Sequence, residues 1–119
     1  TLSNRTKQKA ERMSKQFQNL KIINWGKIIE FDVIINATSL GLKNEIMNLD
    51  FSRTKNNKLF YDLIYNPKET NFLKEGKRLG NRIENGKLMF IYQAHEAFKL
   101  WHGIEPKIND QVFKILEND

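Results

Sequence analysis

Five basic side chains, Arg5, Lys7, Lys9, Arg12 and Lys15, crowd into eleven positions near the start of the chain. That pattern suits a polyanion or a phosphate, and it equally suits a solvated basic helix face. Further on, a single glutamine interrupts an apolar surface. On a helical wheel at about 100° per residue, Phe90, Ile91, Ala94, Ala97, Phe98, Leu100 and Trp101 cover one wide arc. Gln93 falls inside that arc, between Met89 and Leu100 on one flank and Ala97 on the other. A polar group there needs hydrogen bonds, from a ligand or from buried backbone. His95 falls on the opposite, polar side with Tyr92, Glu96 and Lys99 and is expected to be exposed. Asp62 lies within an apolar strand pattern, where a hydrogen-bonded structural carboxylate is favoured over a catalytic one. Tyr65 ends the same pattern.

The elements that must position these residues follow from periodicity. Ala10, Met13, Phe17 and Leu20 recur at helical spacing and predict a helix over residues 6–18. Ile22 and Ile23 suggest a short strand, broken at Gly26. Residues 32–36 are an unbroken apolar run, which predicts a strand buried on both faces as in a parallel sheet. Residues 59–65 form another strand, stopped by Asn66-Pro67. Thr70 is a good N-cap for a helix over 71–80, and Arg82 and Ile83 suggest a third short strand. Asn85-Gly86 marks a turn before the strongest helix, 87–101, which Gly103 and Pro106 end. Asn109 or Asp110 caps a last helix through Leu116. Helices alternating with strands predict an α/β fold with a mostly parallel sheet.

At 119 residues, with 39% hydrophobic and 29% charged residues, the chain is expected to fold as one domain, 1–119. It can bury roughly two thirds of its unfolded surface. It has no cysteine, which excludes a disulfide framework, a thiolate metal site and a cysteine nucleophile. With only two histidines, no metal site is expected. The longest apolar run, Leu88 to Tyr92, falls far short of the ~20 residues that cross a bilayer. Residues 1–20 are polar and basic, without a signal-peptide pattern, so a cytoplasmic location is expected, with no membrane partner. The sequence begins at Thr1 rather than at a methionine, and is expected to be a piece of a longer protein.

Several strings occur in order. These are Asn4-Arg5-Thr6; Asp32-Val33-Ile34-Ile35-Asn36-Ala37-Thr38-Ser39-Leu40-Gly41; Asp62-Leu63-Ile64-Tyr65-Asn66-Pro67; then Gly76, Gly80, Asn85-Gly86, Met89, Gln93-Ala94, Ala97-Phe98, Trp101 and Gly103. Together they resemble the C-terminal half of shikimate dehydrogenase. The resemblance implies a Rossmann-like NADP domain and reversible hydride transfer between NADPH and 3-dehydroshikimate, giving shikimate in aromatic amino-acid biosynthesis. In dinucleotide folds the end of the second strand meets the adenosine ribose, where an acid favours NAD and an arginine accommodates the 2′-phosphate of NADP. Leu2-Ser3 would be the tail of that strand. The junction has Arg5 and no acid, and Lys9 lies one turn on as a point charge.

By the same resemblance, Asn4, Arg5, Thr6 and Lys9, the loop Asn36, Ala37, Thr38 and Ser39, and Leu63, Gly86 and Met89 are cofactor-binding. Leu63 and Met89 would lie beside the nicotinamide, with Gly86 admitting the backbone to it. Tyr65 and Gln93 would bind substrate. The chain departs from the family's pattern in two ways. The Gly-rich phosphate turn with its strand is absent, and so is the substrate domain that supplies the catalytic pair, so no catalytic residue is named here. Loss of the central first strand is expected to leave a seam between two halves of the sheet. The oligomeric state stays open between monomer and homodimer. Three other functions remain in view: a quinate/shikimate dehydrogenase using NAD, a non-catalytic NADP-binding or interaction module, and a basic nucleic-acid-binding domain, which no motif supports.

Overall fold

The computed structural model describes residues 1–116. These residues divide into two compact units, one comprising 1–30 and 47–54 and the other 31–46 and 55–116. The first unit is a small strand–helix–strand motif. β1 (Leu2–Ser3) and β2 (Ile22–Ile23) run parallel, with Leu2 opposite Ile22 and Ser3 opposite Ile23. Parallel neighbours need a crossover, and α1 (Lys7–Ser14) supplies it. The periodicity predicts a longer helix, over 6–18. Of its stripe only Ala10 is buried, while Met13 and Phe17 are exposed. Short helices draw their stability from a packed face, so the turn beyond Ser14 has nothing to hold it. Phe51 completes this unit's core.

The second unit is built on three parallel strands, β3 (Val33–Asn36), β4 (Leu59–Asp62) and β5 (Arg82–Glu84), in that spatial order. α2 (Asn71–Arg78) crosses from β4 to β5 and packs on both. Its cap is the predicted one: the Thr70 hydroxyl accepts from the Leu73 amide at 3.3 Å. α3 (Lys87–His102) and α4 (Asp110–Ile115) follow, the latter capped by Asn109. The core joins Phe60, Phe72, Leu73, Ile64 and Ile91. The Phe60 ring sits 5.2 Å from that of Phe72 and edge-on to Phe31 at 5.7 Å. A buried phenylalanine of this kind contributes roughly 1.5–3 kcal/mol.

Two sequence expectations fail in this unit. The run at 32–36 is not buried on both faces. Ile34 is partly buried and Asn36 buried, but Val33 is 50% and Ile35 58% exposed. β3 is an edge strand with β4 as its only strand neighbour among the described residues. The Asp32 and Asn36 carbonyls accept from Leu59 and Leu63, which places the Val33 and Ile35 backbone groups on the open edge. Likewise, α3 buries only Ile91 of its apolar arc. Leu100 and Trp101 are 82% and 76% exposed. Hydrophobic periodicity marks a face as apolar without stating what covers it.

Gly76 lets α2 lie directly on β4. A Cβ there would come within 2.5 Å of the Phe60 Cγ and 2.8–2.9 Å of two further Phe60 atoms. Alanine is the better helix former by about 1 kcal/mol. Overpacking against a ring with no room to move costs about 1–3 kcal/mol, so the clash should win. Gly76→Ala is expected to destabilise the chain by about 1 kcal/mol in urea unfolding. A gain in stability would show that Phe60 relaxes freely.

Candidate functional site

Because β3 and β4 are parallel and in register, with Asn36 opposite Asp62, their carboxyl ends open on the same edge of the sheet. Ligands of open α/β sheets bind outside such ends. An open cleft of about 450 Å³ lies there. Ala37, Thr38 and Leu42 from the loop after β3 form one lip, and Leu63, Ile64, Tyr65 and Asn66 after β4 the other. The lining is mostly apolar, with one phenol and no carboxylate, lysine or histidine. It can hold a ring and orient it, but it offers no evident acid–base pair.

Beneath the cleft, Asp62 is fully buried and its carboxylate joins three segments. One oxygen accepts from the Asn36 side-chain amide and from the Ile64 backbone, each at 3.0 Å, and the other accepts from the Thr70 hydroxyl at 2.6 Å. Asn36 in turn accepts from the Thr38 amide at 3.0 Å and the Thr38 hydroxyl at 2.8 Å, and donates to the Leu40 carbonyl at 3.0 Å. The hydrogen-bonded carboxylate expected at Asp62 is present, and it ties these segments together. The loop after β3 has a second anchor in Glu45, whose carboxylate accepts from the Lys43 and Gly41 amides at 2.9 and 3.1 Å. Those backbone bonds, that from Lys43 first, hold its pKa below the ordinary carboxylate value.

The start of α3 is locked to the same edge. A Cβ on Gly86 would overlap the Leu63 carbonyl, and the Gly86 amide donates to the Ile64 carbonyl at 3.2 Å. The glycine is therefore required by the backbone just past β4. One turn on, Phe90 stacks on Tyr65, with centroids 4.8 Å apart and planes 28° from parallel.

The structure thus gathers Ala37, Thr38, Leu63 and Tyr65 around one cleft, with Asn36 buried below and Gly86 abutting Leu63. Ser39 is exposed on the loop, Met89 is exposed on the first turn of α3, and Gln93 is exposed one turn beyond Phe90. A backbone-bonded core role for Gln93 is not realised. His95, expected on the surface, has a side chain only 12% exposed. The segment after α3 folds back along the helix, and the Pro106 carbonyl lies 3.0 Å from His95 Nε2. Sequence reasoning missed Leu42, Asn66 and Phe90. Asn66 reads only as a strand stop and Phe90 only as part of an apolar arc.

Asn4, Arg5, Thr6 and Lys9 belong to the first unit. Arg5 is the second residue past the carboxyl end of β1 and is exposed. The Asn4 side chain accepts from the Thr6 amide at 2.8 Å and shapes that turn. Lys7 is committed to Glu11 at 3.6 Å. Among the described residues no group of three His, Cys, Asp or Glu side chains could hold a metal ion, and no helix is long and apolar enough to cross a membrane.

No protein-family model matches the chain. A shikimate dehydrogenase (NADP(+)) of Pelagibacter ubique is 50% identical over 117 residues, which is 98% of this chain and 44% of the relative. The chain therefore spans less than half the length of that curated relative. Among solved structures, a shikimate dehydrogenase in complex with NADP+ aligns with a TM-score of 0.75 and 31% identity, over 96% of this chain and 44% of the other. The 5-ketofructose reductase of a Gluconobacter strain aligns with a TM-score of 0.77 and 29% identity, over 98% and 46%. The Rossmann-like α/β class expected from the sequence is that of these neighbours.

Asp62→Ala strands three buried donors at once. Charge-assisted hydrogen bonds are worth about 1.5–3 kcal/mol each, and an unmet buried donor costs a similar amount. The expected loss is about 3 kcal/mol or more in denaturant unfolding, a large part of a small domain's stability. Thr70→Val, which strands only one carboxylate oxygen and one helix-end amide, should cost about 1–2 kcal/mol. A near-neutral Asp62→Ala would show that the three segments hold together without it.

Proposed function

We propose that this chain is the C-terminal, NADP-binding portion of a shikimate dehydrogenase, which interconverts 3-dehydroshikimate and shikimate with NADP(H). The observation that carries the reading is the 50% identity to a shikimate dehydrogenase (NADP(+)) across 98% of this chain. Residues 1–119 then belong to the cofactor domain, the substrate domain lies outside this sequence, and the protein works in the cytoplasm.

The residues fit such a cofactor in kind. In the first unit Arg5, exposed at the end of a parallel strand and free of any neighbouring acid in sequence, offers a planar fork of donors to the 2′-phosphate. Lys9 adds a point charge, and Asn4 and Thr6 form the turn that presents both. In the second unit Ala37, Thr38 and Ser39 offer loop backbone and hydroxyls, held in shape by Asn36. Leu63 and Met89 give apolar contacts, and Gly86 keeps the helix start close against Leu63. NADP(H), when bound, accepts or supplies the hydride. Tyr65 and Gln93 orient the substrate: the phenol lines the cleft, and the amide stands exposed on α3. Excluding water and holding reactants near contact account for much of such catalysis. Proton transfer needs a positioned acid–base group, which the lining of this cleft does not offer.

The cofactor assignment is tested in a chimera of the Pelagibacter ubique relative whose matched 117 residues are replaced by this chain. Arg5→Ala removes a charge-assisted contact worth about 1.5–3 kcal/mol. NADP+ affinity should fall roughly ten- to a hundredfold, while NAD+ affinity holds. Equal losses for both cofactors would overturn the 2′-phosphate role.

The chain alone should be inactive. Mixing it with NADP+ and shikimate and following absorbance of the reduced nicotinamide is expected to give no rate above the buffer blank. Turnover would mean that these residues already include a complete active site.

A further inference from the structure

We infer that Phe90 is a positioning residue for the substrate side of the cleft, acting through Tyr65; the inference rests on the proposed role of Tyr65. Tyr65 lines the cleft and is half-buried, and its backbone follows directly on Ile64, whose amide Asp62 fixes. The Tyr65 ring stacks on the face of Phe90, at 4.8 Å and 28°. The choice among three staggered χ1 wells decides where a tyrosine phenol points, and a ring stacked on its face favours the one well that keeps the stack. Phe90 is itself placed with little freedom. Its amide donates to the Gly86 carbonyl at 2.9 Å, and Gly86 abuts Leu63 in the segment after β4 that carries Tyr65.

β4, the start of α3, Phe90 and Tyr65 thus form a closed circuit, and its last member faces the cleft. Gln93, three residues beyond Phe90, shares its side of the helix. The ring stack therefore sets the phenol against a molecule bound in the cleft, and Gln93 stands exposed on the same side of α3. A hydroxylated cyclic carboxylate, with apolar ring faces and hydroxyl edges, is the chemistry such a wall would orient.

The test uses the chimera of the Pelagibacter ubique relative that carries this chain, with Phe90→Leu, which keeps the apolar bulk, and Phe90→Tyr, which keeps the ring. Aromatic carbon–proton NMR reports Tyr65, its signals assigned by their loss in Tyr65→Phe, and shikimate is titrated against the same signals. Phe90→Leu should shift the Tyr65 ring resonances and weaken shikimate binding roughly three- to tenfold, in line with the worth of one aromatic pair. Folding, followed by amide dispersion, should be retained, and Phe90→Tyr should restore both readouts. Unmoved Tyr65 resonances in Phe90→Leu, or moved resonances with unchanged shikimate affinity, would overturn the positioning role while leaving the substrate reading standing. An unsubstituted chimera that binds shikimate while its Tyr65 resonances stay unmoved would overturn the substrate reading of Tyr65 and this inference with it.

Discussion

A buried carboxylate tolerates no vacancy among its donors, and Asp62 organises the second unit on that condition. Removing an ionised group from water is costly unless hydrogen bonds replace the lost hydration. Asp62 meets the cost with an amide from β3's last residue, a backbone amide just past β4, and the hydroxyl that caps α2. Each donor fixes a different segment. The relative placement of two strand ends and a helix start is therefore set by one side chain rather than by apolar contact, which has no direction. The cleft lips are the immediate continuations of those segments.

Two close approaches complete the frame. Gly76 admits the Phe60 ring between α2 and β4, and Gly86 admits the Leu63 carbonyl against the start of α3. Both are places where a side chain would push a helix off the sheet. The first sets the depth of the core, and the second sets the distance between the cleft and α3. The aromatic stack of Phe90 on Tyr65 follows from the second, since it spans a gap that the glycine has already fixed. The polar hub and Gly86 thus act on the same edge of the sheet, and Gly76 acts on its face.

The exposed apolar surface has a different origin. Val33 and Ile35 on an edge strand, and Leu100 and Trp101 on α3, are residue types that parallel sheets and long helices ordinarily bury. Their sequence patterns are those of interior elements. The chain matches less than half of its curated relative, and the pattern records a burial that these residues do not provide among themselves.

The sequence by itself determined the element types, because period and punctuation are local. Thr70 as a cap and Gly103 as a helix end needed no partner to be legible, and the alternation of strand and helix was enough for parallel α/β, but the strand expected through Tyr65 ends at Asp62, whose carboxylate accepts from the Ile64 amide and turns the chain. The strings around Asp32–Gly41 and Asp62–Pro67 marked the strand ends where a cleft forms, and an acid in an apolar strand was legible as a hydrogen-bonded carboxylate. Other features depended on residues far apart in the chain. That Asn36 and Thr70 meet Asp62, that Gly86 answers to Leu63, and that Phe90 faces Tyr65 are matters of contact across 8 to 26 positions. His95 turned inward because a distant carbonyl folded back to meet it, and the arc around Gln93 stayed open because no element covered it. Periodicity states what a face would bury, and only the tertiary structure decides what lies against it.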